Sequence, residues 1–250
     1  MNYLAEDFEY EVEPIPEQLP VLYADEHFIA VYKPAGLLVH RSPIDGEKSR
    51  FAMQIVRDQV GHYVYPVHRL DKPTSGILLL ARSSFVASLM MPMFATGQVN
   101  KYYEAIVRGF IPERQLLDYA LKNEDNPQVE PKVAMTEYWP ERFVELPMAT
   151  GRYPTSRYCW LNISPRTGRR HQIRRHMHHI SHPIIGDTTH GDGRHNRLFR
   201  SQGWPGLWLL AKKLTFTHPL SQHNIVIELD YPKRWKKIQQ ELFQRYQVTI

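Results

Sequence analysis

Val67-His68-Arg69-Leu70-Asp71-Lys72-Pro73-Thr74-Ser75-Gly76 runs directly into the apolar stretch Ile77-Leu78-Leu79-Leu80-Ala81. A turn-rich segment followed by a short continuous apolar run predicts a strand over 76–81 that is buried on both faces. Such a strand needs neighbours on each side, and the flanking sequence supplies them. Upstream, Val21-Leu22-Tyr23, then Asp25-Glu26, then Phe28-Ile29-Ala30-Val31 predict strand, turn, strand. Pro34 and Gly36 break the pattern, and Leu37-Leu38-Val39 resumes it. Residues 49–60 place Phe51, Ala52, Ile55, Val56 and Val60 at helical spacing. Downstream, Ser83 or Ser84 caps a helix reaching Phe94, with Pro92 set to kink or end it. Strands are predicted over 102–107, 157–163, 207–217 and 225–229. Residues 168–180 carry Ile173, Met177 and Ile180 on one helical face, and 233–246 carry the amphipathic stripe Trp235, Ile238, Leu242, Tyr246. The polar stretch 113–131, with two prolines, reads as a loop insertion. Strands outnumber helices without alternating with them. The expected class is α+β, a mixed, largely antiparallel central sheet with flanking helices. No internal repeat is present.

The 250 residues are 42% hydrophobic and 23% charged, with a net charge of +5 and a pI near 9.2. That suits one sizeable core and is compatible with a polyanionic partner. A single cysteine, Cys159, excludes an internal disulfide and a cysteine-based zinc site; between Tyr158 and Trp160 it reads as a packed strand residue. No apolar run approaches the ~18 residues that suggest a membrane span. Residues 1–20 hold Glu6, Asp7, Glu9, Glu11, Glu13 and Glu17 with three prolines, and read as an acidic, loosely ordered leader before one domain over 21–250. With no signal-peptide core, a cytoplasmic location is the default.

Chemistry concentrates in three segments. Asp71 lies between basic residues on a loop set against a rigid strand, where catalytic groups gather, although an ordinary turn aspartate paired with Arg69 or Lys72 fits the same residues. From Arg166 to Arg175, five arginines fall within ten residues, and no acid appears between Asn162 and Ile185. That favours phosphate contact over a solvated face, since arginine forks match phosphate oxygens. The loop from Gly191 to Arg200 adds further donors. The histidines His171, His176, His178, His179 and His182 have neither carboxylate nor cysteine interleaved and stand among arginines, so no metal site is expected. Lys101-Tyr102-Tyr103-Glu104-Ala105 is the third segment, by itself a weak signal.

Together these segments resemble the RluA-like family of pseudouridine synthases. The resemblance rests on His68 to Gly76, on Lys101, Tyr103 and Ala105, and on Thr167 to His176 followed by His182-Pro183-Ile184-Ile185-Gly186-Asp187. It covers about 21–229. Residues Ala149-Thr150-Gly151-Arg152-Tyr153-Pro154-Thr155, Gly186-Asp187 through His190-Gly191-Asp192, and Val39-His40-Arg41-Ser42 are similar to the branch of that family acting on tRNA, which lacks the small S4 RNA-binding domain. The resemblance implies the pseudouridine synthase fold and an isomerase that converts a uridine of RNA without cofactor or metal. RNA, tRNA foremost, is the expected partner, with no membrane and no obligatory protein partner. By the same resemblance Asp71 is the nucleophile, Arg174 pairs with its carboxylate, and Tyr103 stacks on the base and moves a proton. Arg69 fills the gap left by a flipped nucleotide, and His68, Arg169, Arg170, His171 and Gln172 contact the RNA. Attack by Asp71 on the base, attack on the sugar and glycal formation all satisfy the pattern. Ribosomal RNA as substrate, an inactive RNA-binding protein and a glycosidase-like hydrolase are the alternatives. The last would want a second carboxylate, which neither catalytic motif supplies.

Overall fold

The computed structural model describes residues 13–41, 50–124, 126 and 128–250. Its strands are β1 (Val21–Ala24), β2 (Phe28–Lys33), β3 (Tyr65–Pro66), β4 (Ser75–Ala81), β5 (Asn100–Arg108), β6 (Gln115–Asp118), β7 (Met135–Leu146), β8 (Ser156–Pro165), β9 (Leu209–Thr217), β10 (Asn224–Glu228) and β11 (Gln247–Val248). The helices are α1 (Ala52–Val60), α2 (Ser84–Ala95), α3 (Gln172–His179), α4 (Gly193–Ser201) and α5 (Lys233–Ile238), the last running on into a π turn over Gln239–Phe243. One sheet orders the strands β1-β2-β4-β9-β5-β8-β7-β11, with β3 on β4, β6 on β7 and β10 on β9. Every ladder between these strands is antiparallel except β4–β9, which is parallel over two pairs, Ser75 with Leu210 and Gly76 with Ala211. The sheet is mixed and largely antiparallel, as the sequence indicates.

All seven residues of β4 are buried, because helices cover both faces. Ile77 and Leu79 pack with Phe28, Trp160, Met90 of α2 and Trp235 of α5. Leu78 and Leu80 point the other way, onto Ile29, Val31 and the α1 residues Ala52, Ile55 and Val56. Farther along that second face, Ala105, Val107 and Ile163 meet Ile173 and Met177 of α3. Each fully buried aliphatic contributes about 1.5–3 kcal/mol, and none can be exchanged for a polar residue without facing apolar neighbours. The half-buried Tyr103 packs against both the α1 and the α3 cluster, so it marks the cleft between them.

Several expectations need correction. Pro92 lies inside α2 rather than ending it; Ser83 caps the helix start by accepting from Val86 N–H. Leu37-Leu38-Val39 forms only an isolated bridge, Leu38 with Phe51. The helix expected from Gly168 begins at Gln172, because His171 takes a left-handed conformation at φ 52. Part of the 113–131 insertion is strand β6, paired with the start of β7. The loop expected over 191–200 is instead helix α4, capped by Asp192, whose carboxylate accepts from Arg194 N–H. β7 has no counterpart among the strands expected from sequence: Pro140 interrupts its alternation, and the structure absorbs that proline in a register shift between Pro140 and Arg142. Residues 1–12 of the leader, and Ser42 and Ser49, lie outside the described residues. Leu19, within the leader, is buried, and its N–H and C=O both bond the Gln59 amide.

Candidate active site

The turn carrying Asp71 is fixed at three points. Thr74 N–H donates to Asp71 C=O at 3.0 Å, and Gly36 N–H donates to Lys72 C=O at 2.8 Å. Below them Lys33 is wholly buried, and its ammonium donates to the carbonyls of Pro34 (2.9 Å), Leu37 (2.7 Å) and Lys72 (3.2 Å). Burial pushes its pKa down to about 7, against the opposing pull of Asp71. One ammonium thus ties the 34–37 turn to the Asp71 loop through all three of its donors. Gly76, at the start of β4, has φ 126, and a Cβ there would come 2.4 Å from Ala211 C=O. Only glycine permits the parallel contact that seats this loop over the sheet.

Tyr103 rises from β5 at a register shift against β9, between Tyr102 and Tyr103. Such irregularities re-aim a side chain. Burial, and then the charge of Asp71, push the phenol pKa up, so Tyr103 stays protonated. Arg174 enters from α3, with only 4% of its side chain exposed. Its Nε and Nη2 donate to the two carboxylate oxygens of Asp187 at 2.7 Å each, and its Nη1 reaches Asp71 Oδ2 at 3.4 Å. The main partner of Arg174 is therefore Asp187, and Asp71 takes the remaining edge of the fork. Asp187 also accepts from the N–H groups of Thr189 and His190. Burial would raise its pKa, but Arg174 and these amides hold it below the usual carboxylate range.

A cavity of about 550 Å³ opens between the Asp71 turn, β5 and the start of α3. Every residue expected at the site lines it: Asp71, Tyr103 and Arg174, with His68, Arg69, Arg169, Arg170, His171 and Gln172. Their placement separates them. Arg69, Arg169 and Arg170 are exposed at the mouth. His171, in its strained conformation, reaches to 4.0 Å from Asp71. Gln172 faces inward instead. Its oxygen accepts from Thr167 Oγ1 and Arg169 N–H, and its amide donates to Met135 C=O and Thr136 Oγ1. With its bonding capacity used internally, it shapes the arginine turn rather than touching RNA. His68 likewise belongs to the wall. Its Nε2 accepts from Leu79 N–H, its ring stacks on Phe94 at 4.6 Å, and burial drives its pKa down to about 3. Lys101, not assigned a role from sequence, lines the same cavity, donates to Thr167 C=O and is pushed down to about 8 by burial.

No carboxylate is interleaved among the histidines in sequence, but the fold brings Glu124 to them from the insertion. The insertion brings it 3.4 Å from both His171 Nδ1 and His190 Nε2, and these three residues could hold a cation. Arg170 Nε and Arg175 Nε stand 3.6 Å from the same carboxylate. Two permanently charged guanidinium groups oppose a dication there, and the cluster is an ion-pair network around the Glu124 carboxylate. His176 bonds Thr136 and Tyr119, His178 bonds His190 C=O, and His182 bonds Arg108 C=O, so these rings serve the fold.

Residues 27–179 match the family model described as RNA pseudouridylate synthase. The chain is 48% identical over 241 residues to the tRNA pseudouridine synthase C of Vibrio parahaemolyticus, covering 93% of this chain and 96% of that one. It is 50% identical over 232 residues to the protein of the same name from Vibrio cholerae, covering 89% and 95%. Among solved structures, human RNA Pseudouridylate Synthase Domain Containing 1 superposes with a TM-score of 0.72 at 23% identity, over 95% of this chain and 94% of that one. Human RNA Pseudouridylate Synthase Domain Containing 4 gives 0.65 at 21%, over 88% and 91%. These two likenesses concern the fold. The sequence matches extend through the Asp71 turn, the Tyr103 strand and the arginine helix, and the chain belongs to the RluA-like RNA pseudouridylate synthase family.

Proposed function

We propose that this chain isomerises a uridine of tRNA to pseudouridine, at a position in the T stem beside the acceptor stem. The observation that carries the reading is convergence: Asp71, Tyr103 and Arg174, from three distant segments, meet in one cavity with arginines around its mouth. The relatives named tRNA pseudouridine synthase C support tRNA as the substrate class. A target uridine must leave its stack to present the glycosidic bond, at a cost of a few kcal/mol. Arg69, exposed beside the cavity, fills the space it vacates, and phosphate contacts at Arg169 and Arg170 offset the opening.

Asp71 supplies the nucleophile. Arg174, locked by Asp187, is an oriented positive charge that fixes the carboxylate and balances it as charge moves. The N1–C1′ bond breaks, uracil turns within the cavity, and C5 bonds C1′. Any bond that Asp71 forms to the sugar or the base is broken again as C5 bonds C1′; the C5 proton is lost and N1 gains one, so the composition of the RNA is unchanged, the carboxylate is restored and no redox partner enters. Tyr103, held as the neutral phenol, stacks on the base. Its raised pKa opposes a resting phenolate, so its part in proton movement is as a hydrogen-bonding hydroxyl. Incubation of purified protein with unmodified tRNA and with ribosomal RNA, followed by nucleotide-resolution mapping, tests the proposal. Pseudouridine in the T stem is expected; modification confined to ribosomal RNA would refute the tRNA assignment.

A further inference from the structure

Away from the catalytic cleft, the turn between β7 and β8 and helix α4 enclose a second cavity of about 940 Å³. We propose that it is a second RNA-contact site, taking a backbone phosphate and an adjacent unstacked base of the same RNA; this rests on the function proposed above.

The walls are preformed. His195 of α4 bonds Thr150 Oγ1 at 3.1 Å through Nε2 and Tyr158 OH at 2.9 Å through Nδ1. Thr150 Oγ1 meets Ser156 Oγ at 3.1 Å, and Ser156 Oγ donates to Met148 C=O at 2.7 Å. The turn is thereby pinned to β8 and the helix, and Thr155 Oγ1, donating to Glu145, ties it to β7. Four arginines, Arg108, Arg152, Arg157 and Arg194, line the cavity. The carboxylates facing them are Glu145, 3.3 Å from Arg157, and Asp192, paired with Arg108 and Arg194. The arginines outnumber these acids two to one, and Arg157 and Arg194 keep 59% and 61% of their side chains exposed. Excess guanidinium groups on a rigid concave surface suit phosphate.

Tyr153 adds the second half of the site. The residue is 62% exposed, which leaves its ring open to solvent beside the arginines. Arg152 holds it, with the guanidinium carbon 4.8 Å from the ring centroid and Nη2 donating to the phenol oxygen at 2.8 Å. An exposed ring braced by a cation is a platform on which a base of any identity stacks.

Geometry links this cavity to the catalytic one. Tyr103 and Arg108 lie on the same strand, five residues and therefore about 17 Å apart. That is shorter than one turn of a nucleic-acid duplex, ~34 Å for DNA. Segment 187–194 runs between the two sites: Asp187 holds Arg174 at one end, and Asp192 holds Arg108 at the other. Five residues is an odd separation, so Tyr103 and Arg108 point to opposite faces of the sheet, and an RNA that engages both sites passes around the strand ends along segment 187–194.

The test compares wild type, the double variant Arg152→Gln/Tyr153→Ala and the single variant Tyr153→Phe on an unmodified tRNA transcript. The double variant should bind at least about fivefold more weakly, the lower end for losing one base–aromatic stack. Its salt slope should fall in magnitude by about 0.7–0.9 for the lost phosphate contact. Turnover at saturating RNA should be unchanged, and Tyr153→Phe should bind like wild type. Unchanged affinity in the double variant, or a loss of saturating turnover, would overturn the second site. Absence of pseudouridine from wild-type reactions would instead sink the proposed function, so the two failures are separable.

Discussion

Substituting Asp187 by asparagine removes one charge from a buried pair while keeping the side-chain size. Asp187 accepts both 2.7 Å bonds of the Arg174 fork, and the two side chains are 1% and 4% exposed. Taking away one member of such a pair leaves a desolvated guanidinium and typically costs about 3–5 kcal/mol. Here the low end, about 3 kcal/mol, applies, because the substituted amide still offers one carbonyl and Asp71 lies 3.4 Å from Nη1. In a domain of this size that lowers Tm by about 6–12 °C. Catalysis should fall as well, since Arg174 is freed to close on Asp71 and cover the nucleophile. The pH dependence has a definite sign. The folded Asp187 carboxyl titrates below its unfolded value of ~3.9. Its contribution is complete above that value and is lost as pH falls through the folded pKa, so wild type and variant converge only in strong acid. Urea denaturation at pH 7 and at pH 3, with turnover on tRNA, measures all three effects. Stability of the variant within about 1 kcal/mol of wild type at pH 7 would refute the reasoning.

Asp71→Asn should abolish pseudouridine formation and keep RNA affinity within a few fold; residual turnover within tenfold of wild type would remove Asp71 as the nucleophile. If the arginines of 166–175 and of α4 meet roughly four to six phosphates, log K should fall with log salt at a slope of about −3 to −5, whereas a flat response would assign them to the fold. Exhaustive chelation should leave turnover unchanged on a substrate that folds without divalent ions; activity lost to EDTA and restored by zinc would turn the Glu124, His171 and His190 cluster into a metal site. Cys159 is fully buried and its thiol is pushed up to about 12, so alkylation should require unfolding, and rapid labelling of native protein would contradict its packing.

The parts of the fold that could be read from sequence are those whose signal is local. β4 announces itself because both its faces are apolar, and the arginine turn because its donors are contiguous. β7 is hidden by Pro140, whose cost is met by a register shift no periodicity reveals. Helix α4 buries little beyond Phe199, and Gly191 ahead of it with Gly193 at its start read as loop, although Asp192 between them is a cap signal. Asp187 and Glu124 escape a site role for a different reason: each acts across the chain on α3, one from after the helix and one from a polar insertion. Lys33 is the hardest case, since a lysine beside a proline turn normally faces water, and only the three converging carbonyls explain its burial.

The parallel seam between β4 and β9 also bears on the order in which the chain becomes competent. Its two pairs join residues about 135 positions apart, and along the sheet it is the link between β1-β2-β4 and the strands from β5 onward. Such long closures are slow, because the chain entropy is lost before the contacts form. During synthesis the amino-terminal strands can pair among themselves and Lys33 can tie the Asp71 loop to the 34–37 turn, but the contacts of Ser75 and Gly76 with Leu210 and Ala211 form only after those two residues have left the ribosome. A nascent chain halted before that point carries every residue proposed for catalysis but lacks the strand that joins the Asp71 half of the sheet to the Tyr103 half.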